Sequence, residues 1–138
     1  MEPSRSKFRK QQKGRNRGIA RNGREKIASL DYGIKSLGWC MLSGRHLEAC
    51  RVTFVRAMNK AGSVLMRVFP QKPITKKPAE TRQGKGKGSV DFHAAVIKPG
   101  TIIFELGGVP ESVAKKAIWL AGKKLPIKTK MVKRTDYI

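Results

Sequence analysis

The chain has 138 residues, of which 31 are Lys or Arg and 9 are Asp or Glu, so its formal net charge is +22 at pH 7. Such an excess repels itself unless a polyanion neutralises it, and nucleic acid is the commonest one, because each cation placed on a phosphate releases a condensed counterion. The 39% hydrophobic content argues against disorder throughout, and no apolar run reaches the roughly 18 to 20 residues of a membrane helix. We therefore expect one small domain with basic appendages that binds RNA or DNA, and no membrane partner.

Residues 1–26, here called the arm, hold ten Lys or Arg against Glu2 and Glu25. With so few large apolar side chains this segment cannot bury itself, so it is predicted to become ordered on a partner, while residues 27–138 form the domain. A solvated flexible tail is the alternative, and Phe8 could either stack on an unpaired base or cover the domain's own core. The cations expected to bind RNA phosphates are Arg5, Lys7, Arg9, Lys10, Lys13, Arg15 and Arg17.

Residues 27–42 contain short apolar groups around two glycines, which predicts one or two strands with a bend. Ser43 then offers an N-cap, and apolar residues from Leu47 to Ala61 recur at helical spacing up to a stop at Gly62. This is an amphipathic helix. Its other face is either a solvated charged surface or a contact with RNA, and the residues concerned are Arg45, Arg51, Arg56 and Lys60.

Residues 64–69 read as a strand that ends at Pro70, and residues 71–89 then read as one long irregular loop rich in Lys, Gly and Pro. Glycine removes each Cβ that would keep the backbone away from a phosphate, while the lysines supply charge. A Walker nucleotide loop does not fit, because Ser or Thr and a helix do not follow. A merely flexible loop remains open. The candidate binding residues are Lys76, Lys77, Arg82, Gly84, Lys85, Gly86, Lys87 and Gly88.

Residues 90–97 and 101–106 are predicted to form a hairpin across residues 98–100, followed by a helix that begins at Pro110. The apolar stripe of that helix comprises Val113, Ala114, Ala117, Ile118, Ala121 and Leu125. Trp119 falls on the lysine side, where it either covers the edge of the core or offers a stacking platform for a base. Residues 127–134 read as a last strand whose Lys128 and Lys130 are further candidates for RNA contact.

Catalytic and metal-binding patterns are not apparent in the sequence. The nine acids are dispersed, Cys40 and Cys50 lack metal-ligand spacing, and His46 and His93 are single and separated. We therefore expect no enzyme activity, no cofactor, no metal and no small-molecule substrate. The runner-up interpretations are a basic DNA-compacting or chaperone-like protein and, third, a nucleic-acid-modifying enzyme.

Four strings in the same order resemble the universal large-subunit ribosomal protein family L-sixteen, in its bacterial or organellar form. Any one is weak, but together they span nearly the whole chain. They are residues 7–10 (KFRK) with 13–18 (KGRNRG), 67–70 (RVFP) with 72–78 (KPITKKP), Arg82 with 84–88 (GKGKG), and 124–129 (KLPIKT).

The resemblance implies an α+β fold described as a hammerhead, with two helices packed on a mostly antiparallel sheet. It further implies binding to the large-subunit rRNA beside the aminoacyl-tRNA site and the peptidyl-transferase centre, with a role in tRNA positioning and late subunit assembly. By position, residues 7–18 would thread into the rRNA, and residues 82–88 would point toward the tRNA. The implied partners are the large-subunit rRNA, tRNA in the aminoacyl site and neighbouring large-subunit proteins, in ribosomes of a bacterial cytoplasm or an organelle.

Overall fold

The protein is described by a computed structural model, which covers residues 1–137. Within these residues the elements in chain order are β1 (Tyr32–Ser36), β2 (Cys40–Ser43), α1 (Gly44–Ala57), β3 (Ser63–Met66), β4 (Lys72–Lys76), β5 (Ser89–Ile97), β6 (Ile102–Gly107), α2 (Glu111–Gly122), β7 (Thr129–Lys133) and a 3-10 turn (Arg134–Tyr137).

Two antiparallel sheets divide the strands. The first has the order β3-β6-β1-β7 and the second β2-β5-β4. All six residues of β6 are buried, because this strand lies between β3 and β1 and is covered by the core. The predicted α+β fold with two helices and mostly antiparallel strands is confirmed.

The core lies where α1 and α2 pack against the sheets. Phe54 of α1 contacts Phe104 of β6 with ring centroids 5.1 Å apart, a tilted aromatic pair. The buried face of α2 carries alanines, which let α1 approach closely enough for the Cys50 thiol to reach the Ala121 carbonyl at 3.6 Å. The apolar stripe predicted for α2 is thus the face that fixes the two helices together, and Leu125 continues it past the helix end.

The predicted hairpin between residues 90–97 and 101–106 is wrong, because β5 and β6 lie in different sheets. Ser36, at the end of β1, forms hydrogen bonds with the main chain of the intervening turn. Its N–H donates to the Thr101 carbonyl at 2.9 Å, its carbonyl accepts from the Gly100 N–H at 2.8 Å, and its hydroxyl donates to the Lys98 carbonyl at 2.8 Å. The chain therefore changes sheets at this turn, and β5 pairs with β2 while β6 pairs with β1.

Other boundaries also differ from the prediction, and the strand predicted over residues 64–69 ends at Met66. The first helix ends at Ala57 rather than near Gly62, because Asn59 and Lys60 adopt left-handed backbone angles (φ 51° and 60°) that a helix cannot contain. The stretch 71–89 is not wholly irregular, since residues 72–76 form β4. This strand includes Pro73, which is tolerated because β4 is an edge strand that pairs only with β5. The β4–β5 loop is therefore residues 77–88.

Neither of the α-helices described within residues 1–137 has the length and apolar character needed to cross a membrane.

Candidate nucleic-acid interface

The N-terminal segment follows the surface of the domain as irregular chain up to residue 31. Its middle part is held by polar contacts with the main chain. The Asn16 side-chain amide donates to the Ile97 carbonyl at 2.8 Å, and the Ala20 N–H donates to the Pro99 carbonyl at 2.9 Å. The Trp39 indole N–H donates to the Gly18 carbonyl at 2.9 Å. The path of this part is thus fixed by the end of β5 and the β1–β2 turn.

Side chains of the arm's cations point away from these contacts. Lys10 is half-buried, and the other predicted phosphate-binding residues are exposed, namely Arg5, Lys7, Arg9, Lys13, Arg15 and Arg17. Phe8 is also exposed, with 60% of its surface accessible, so it does not cover the domain's core. The arrangement is a backbone held by the domain with its charges and one aromatic ring presented to solvent.

In the β4–β5 loop, the tip is made of three consecutive residues with left-handed backbone angles, Gly84 (φ 98°), Lys85 (φ 59°) and Gly86 (φ 88°). The Lys77 ammonium donates to the Gly84 carbonyl at 2.8 Å and so joins the start of the loop to its tip. At the other end, a Cβ on Gly88 would lie 2.7 Å from the Lys76 carbonyl oxygen, so only glycine allows this close approach. The exposed tip residues are Arg82, Gly84, Lys85, Gly86 and Lys87.

Arm and loop meet. The Lys10 ammonium donates to the Lys87 carbonyl at 3.1 Å, and the Lys72 ammonium of β4 donates to the Lys13 carbonyl. Two segments separated by about half the chain thus form one continuous surface, here called the arm–loop surface (residues 1–19 and 76–88). The sequence predicted each segment but not their contact.

This surface is strongly cationic. Residues 1–19 carry seven Lys or Arg against one acid, and residues 76–88 carry five against one. Within the described part of the chain, ion pairs join Arg51 to Glu48, Arg67 to Glu105, and both Lys115 and Lys133 to Glu111, and none of them involves a cation of the arm–loop surface. Its charges therefore remain available to an external anion.

The cations predicted to bind RNA from the α1 side differ in whether an acidic residue is paired with them. Arg45 and Arg56 are exposed, whereas Arg51 forms two hydrogen bonds to the Glu48 carboxylate, at 2.6 and 2.9 Å. This bidentate contact lowers the pKa of Glu48 and raises that of Arg51. Lys60 lies beyond the helix in the left-handed turn. Lys128 and Lys130 are exposed at the approach to β7 and within it.

The group that holds residues 23–30 was not predicted from the sequence. Glu105 of β6 is completely buried, and its carboxylate accepts hydrogen bonds from the N–H groups of Ala28, Ser29 and Leu30 at 2.9 to 3.0 Å and from the Arg67 guanidinium. Arg67 also donates to the Lys26 carbonyl at 3.0 Å and the Gly23 carbonyl at 3.2 Å.

Desolvation raises the pKa of Glu105, but the three N–H donors and Arg67 together outweigh it, so the pKa lies below its ordinary value of 4.5. The signal in the sequence was a single acid inside an otherwise apolar strand, since a buried charge requires a partner.

No group of three or more His, Cys, Asp or Glu side chains within residues 1–137 is arranged to hold a metal ion. His46, one of the two separated histidines, accepts the Ser43 N–H at 3.3 Å through its Nδ1 at the start of α1. Burial raises the pKa of the Cys50 thiol to about 11, so it is protonated and unreactive at neutral pH.

Comparison with known proteins gives two results. A family model described as ribosomal protein L16p/L10e matches residues 3–132. The chain is also similar to proteins named large ribosomal subunit protein uL16. The relative from Christiangramia forsetii is 50% identical over 137 residues, which cover 99% of this chain and 98% of the relative. That from Parabacteroides distasonis is 50% identical over 137 residues, covering 99% and 94%.

Proposed function

We propose that the arm–loop surface binds the large-subunit rRNA beside the aminoacyl-tRNA site. The chain belongs to the ribosomal protein L16p/L10e family and is a structural constituent of the large ribosomal subunit rather than an enzyme. In this proposal residues 1–26 are the rRNA-binding arm of an α+β domain formed by residues 27–138. The protein settles rRNA segments that frame the peptidyl-transferase centre, and it joins the subunit late in assembly beside neighbouring ribosomal proteins.

The observation that carries the proposal is the contact between Lys10 and Lys87, which places the cations of two distant segments on one surface. Phosphates packed by folded rRNA are themselves crowded, and a protein that neutralises several of them releases several counterions. Arginines in the arm can also grip phosphates with two hydrogen bonds or stack on bases. A surface of this kind joins RNA segments that would otherwise repel each other.

Further rRNA contacts are proposed on α1 and near β7. Arg45, Arg56 and Lys60 are free to reach phosphates from the α1 side, and Lys128 and Lys130 from the β7 side. Arg51 would first have to exchange Glu48 for a phosphate, so its contribution is expected to be the smallest of the set.

The loop tip is the part proposed to face the aminoacyl-tRNA. Gly84, Lys85 and Gly86 are exposed, and the two glycines lack the Cβ that would keep the backbone away from a phosphate. Arg82 and Lys87 add charge beside it. The tip therefore supports a tRNA backbone by position and electrostatics, without performing chemistry.

Replacing Arg82 and Lys85 together with Ala tests this role of the loop. Ribosomes carrying this variant should accommodate aminoacyl-tRNA several-fold more slowly, while the denaturation midpoint of the isolated protein stays unchanged, because both side chains are exposed. The matched control is Lys98→Ala with Lys116→Ala, which removes the same charge outside the proposed RNA contacts. Equal accommodation by the loop variant and the control would contradict the proposal.

A DNA-compacting function is separated from this one by competition binding over a range of salt. The proposed function predicts that folded large-subunit rRNA displaces duplex DNA of equal phosphate content, with the difference persisting as salt rises. A compacting protein would bind both equally, because its affinity would depend on phosphate density alone.

A further inference from the structure

A groove on the side of the domain formed by α2 and β7 is not used by the proposed arm–loop surface. It lies between the last turns of α2, the segment 123–128 and the β1–β2 turn, and has a volume of about 730 Å³. That volume is within the range of about 300 to 1,000 Å³ found for sites that hold compact organic ligands. We call it the Trp119 groove. Its lining includes Leu37, Trp119, Lys123, Ile127 and Lys128.

The two large apolar side chains at the rim of this groove are unusually exposed. Trp119 has 63% of its surface accessible and Leu37 has 52%, so the alternative in which Trp119 covers the edge of the core is not supported by its burial. Beneath them, Ile118 and Leu125 belong to the core and are only 5% and 8% exposed. The apolar surface on offer is thus one flat indole and one leucine, not a row of deep pockets.

The groove is also cationic. The Lys123 ammonium lies 4.9 Å from the centroid of the Trp119 ring, and Lys128 is exposed at the opposite wall. The third lysine of the lining, Lys115, is paired with Glu111 at 3.4 Å. Lys123 and Lys128 are in none of the ion pairs found within residues 1–137. The ligand that fits is an anion with one flat apolar face.

The walls of the groove are held in place by the main chain. The Leu37 N–H donates to the Lys128 carbonyl at 2.9 Å, which joins the β1–β2 turn to the segment before β7. At the end of α2, a Cβ on Gly122 would lie 2.9 Å from the Thr129 hydroxyl oxygen, so glycine allows the helix to approach β7. The exposed indole is therefore presented by fixed elements, which limits the conformational entropy lost when a ligand binds.

We propose that the Trp119 groove binds one unpaired RNA nucleotide, with its base stacked on the Trp119 indole and its phosphates beside Lys123 and Lys128. This inference rests on the proposed function, since rRNA is the nucleic acid that would supply the nucleotide. An aromatic side chain beside cations is the usual platform for unpaired bases. An acidic helix would instead need several apolar anchors along the groove, and the rim offers only two exposed side chains.

Tryptophan emission tests the inference in the full chain. The chain has two tryptophans, so Trp39→Phe leaves Trp119 as the only indole. The probe is a ten-nucleotide single-stranded oligoadenylate, compared with a blunt RNA duplex of the same length, an abasic strand and polyglutamate. Oligoadenylate should quench Trp119 emission, and the other three polyanions should leave it nearly unchanged, because they lack an unpaired base.

In the same Trp39→Phe background, Lys123→Gln with Lys128→Gln should raise the oligoadenylate concentration needed for half-maximal quenching by about fivefold or more. Lys98→Gln with Lys116→Gln removes the same charge outside the groove and should change this concentration little. Quenching by polyglutamate as strong as by oligoadenylate would overturn the inference in favour of an acidic protein partner. Equally strong quenching by the abasic strand would also overturn the inference, because charge alone would then account for the binding.

Large subunits assembled with Trp119→Leu separate this inference from the proposed function. The variant should still co-sediment with large subunits, and chemical probing should find at least one unpaired rRNA nucleotide that becomes reactive. If no nucleotide changes while incorporation is normal, the groove inference fails and the proposed function stands. If the wild-type chain itself does not co-sediment, the proposed function fails.

Discussion

The N-terminal segment contains two stretches of equally irregular backbone that are held in opposite ways. Residues 20–31 are fixed from within, because Glu105 and Arg67 take up their main-chain N–H and carbonyl groups. Residues 1–19 are held from outside by a few hydrogen bonds to the domain surface, and their cations are turned to solvent. A buried charge attaches the first stretch to the core, whereas the second stretch leaves its charges exposed, where we propose that they bind rRNA.

The difference shows that charge in this molecule has two uses that exposure distinguishes. A buried carboxylate is stable only with a full set of donors, so Glu105 specifies the path of the chain that surrounds it. An exposed guanidinium needs no internal partner and contributes little to folding. Substitutions in the first set should therefore change stability, and substitutions in the second should change binding.

Glu105→Gln should give the largest change in stability. A glutamine keeps the size of the side chain, but its one amide oxygen cannot serve three N–H donors and Arg67, and its NH2 group would face donors. Breaking a buried charge pair on one side costs about 3 to 5 kcal/mol. The free energy of unfolding should fall by about 3 kcal/mol or more in urea denaturation monitored by circular dichroism.

The control for this variant is Glu48→Gln, which breaks the exposed pair with Arg51. Its denaturation midpoint should not move measurably, because solvent screens the pair. If both variants have the same stability as the wild type, the contrast between the two uses of charge is wrong.

Lowering the pH should weaken the stabilisation that Glu105 provides. Because the pKa of Glu105 is lower in the folded protein than its ordinary value of 4.5, its stabilising contribution is fully present above that pH. The contribution is lost as the pH falls through the lower folded pKa, where the carboxylate must be protonated. Unfolding free energy measured between pH 7 and pH 3 should fall less steeply in Glu105→Gln than in the wild type. Parallel profiles would show that Glu105 is not the titrating group.

Asn16→Ala should lower stability only slightly, and it tests how the stretch of residues 1–19 is held. It removes the side-chain hydrogen bond to the Ile97 carbonyl, which is worth about 1 kcal/mol for a typical bond. Amide hydrogen exchange should accelerate in residues 13–20, while exchange in residues 24–31 stays as in the wild type. Faster exchange in both stretches would mean that they are held as one unit.

Much of the fold could be predicted from local pattern. The two helices follow from apolar residues at helical spacing, and their buried faces contain the predicted stripes, such as Ala114 to Ala121 in α2. The pairing of strands could not be predicted in this way. Residues 98–100 look like a hairpin turn, and only the distant Ser36, which occupies the turn's polar groups, sends β6 to a different sheet from β5.

In the candidate interface, too, the segments could be predicted from the sequence but the contacts between them could not. Its cationic segments follow from composition, since a run such as residues 84–88 has no reason to be buried. The contact of Lys10 with Lys87 and the attachment of residues 23–30 through Arg67 and Glu105 join residues tens of positions apart. Such contacts depend on the packed core, so no local pattern carries them. Arg67 looks ordinary in the sequence, and Glu105, although it is a single acid in an apolar strand, does not show which residues it will hold.

The most direct test of the central claim, that the arm–loop surface attaches this protein to folded large-subunit rRNA, is sedimentation of large subunits through a series of salt washes. A variant with Arg9, Lys10, Arg82 and Lys85 replaced by Ala should leave the subunits at lower salt than the wild type. The slope of the logarithm of its binding constant against the logarithm of the salt concentration should become shallower by about 0.7 to 0.9 for each phosphate that the variant no longer neutralises. Its unfolding free energy should fall by no more than about 1 kcal/mol, the value of the Lys10 hydrogen bond that it removes. Release of both proteins at the same salt concentration would contradict the account.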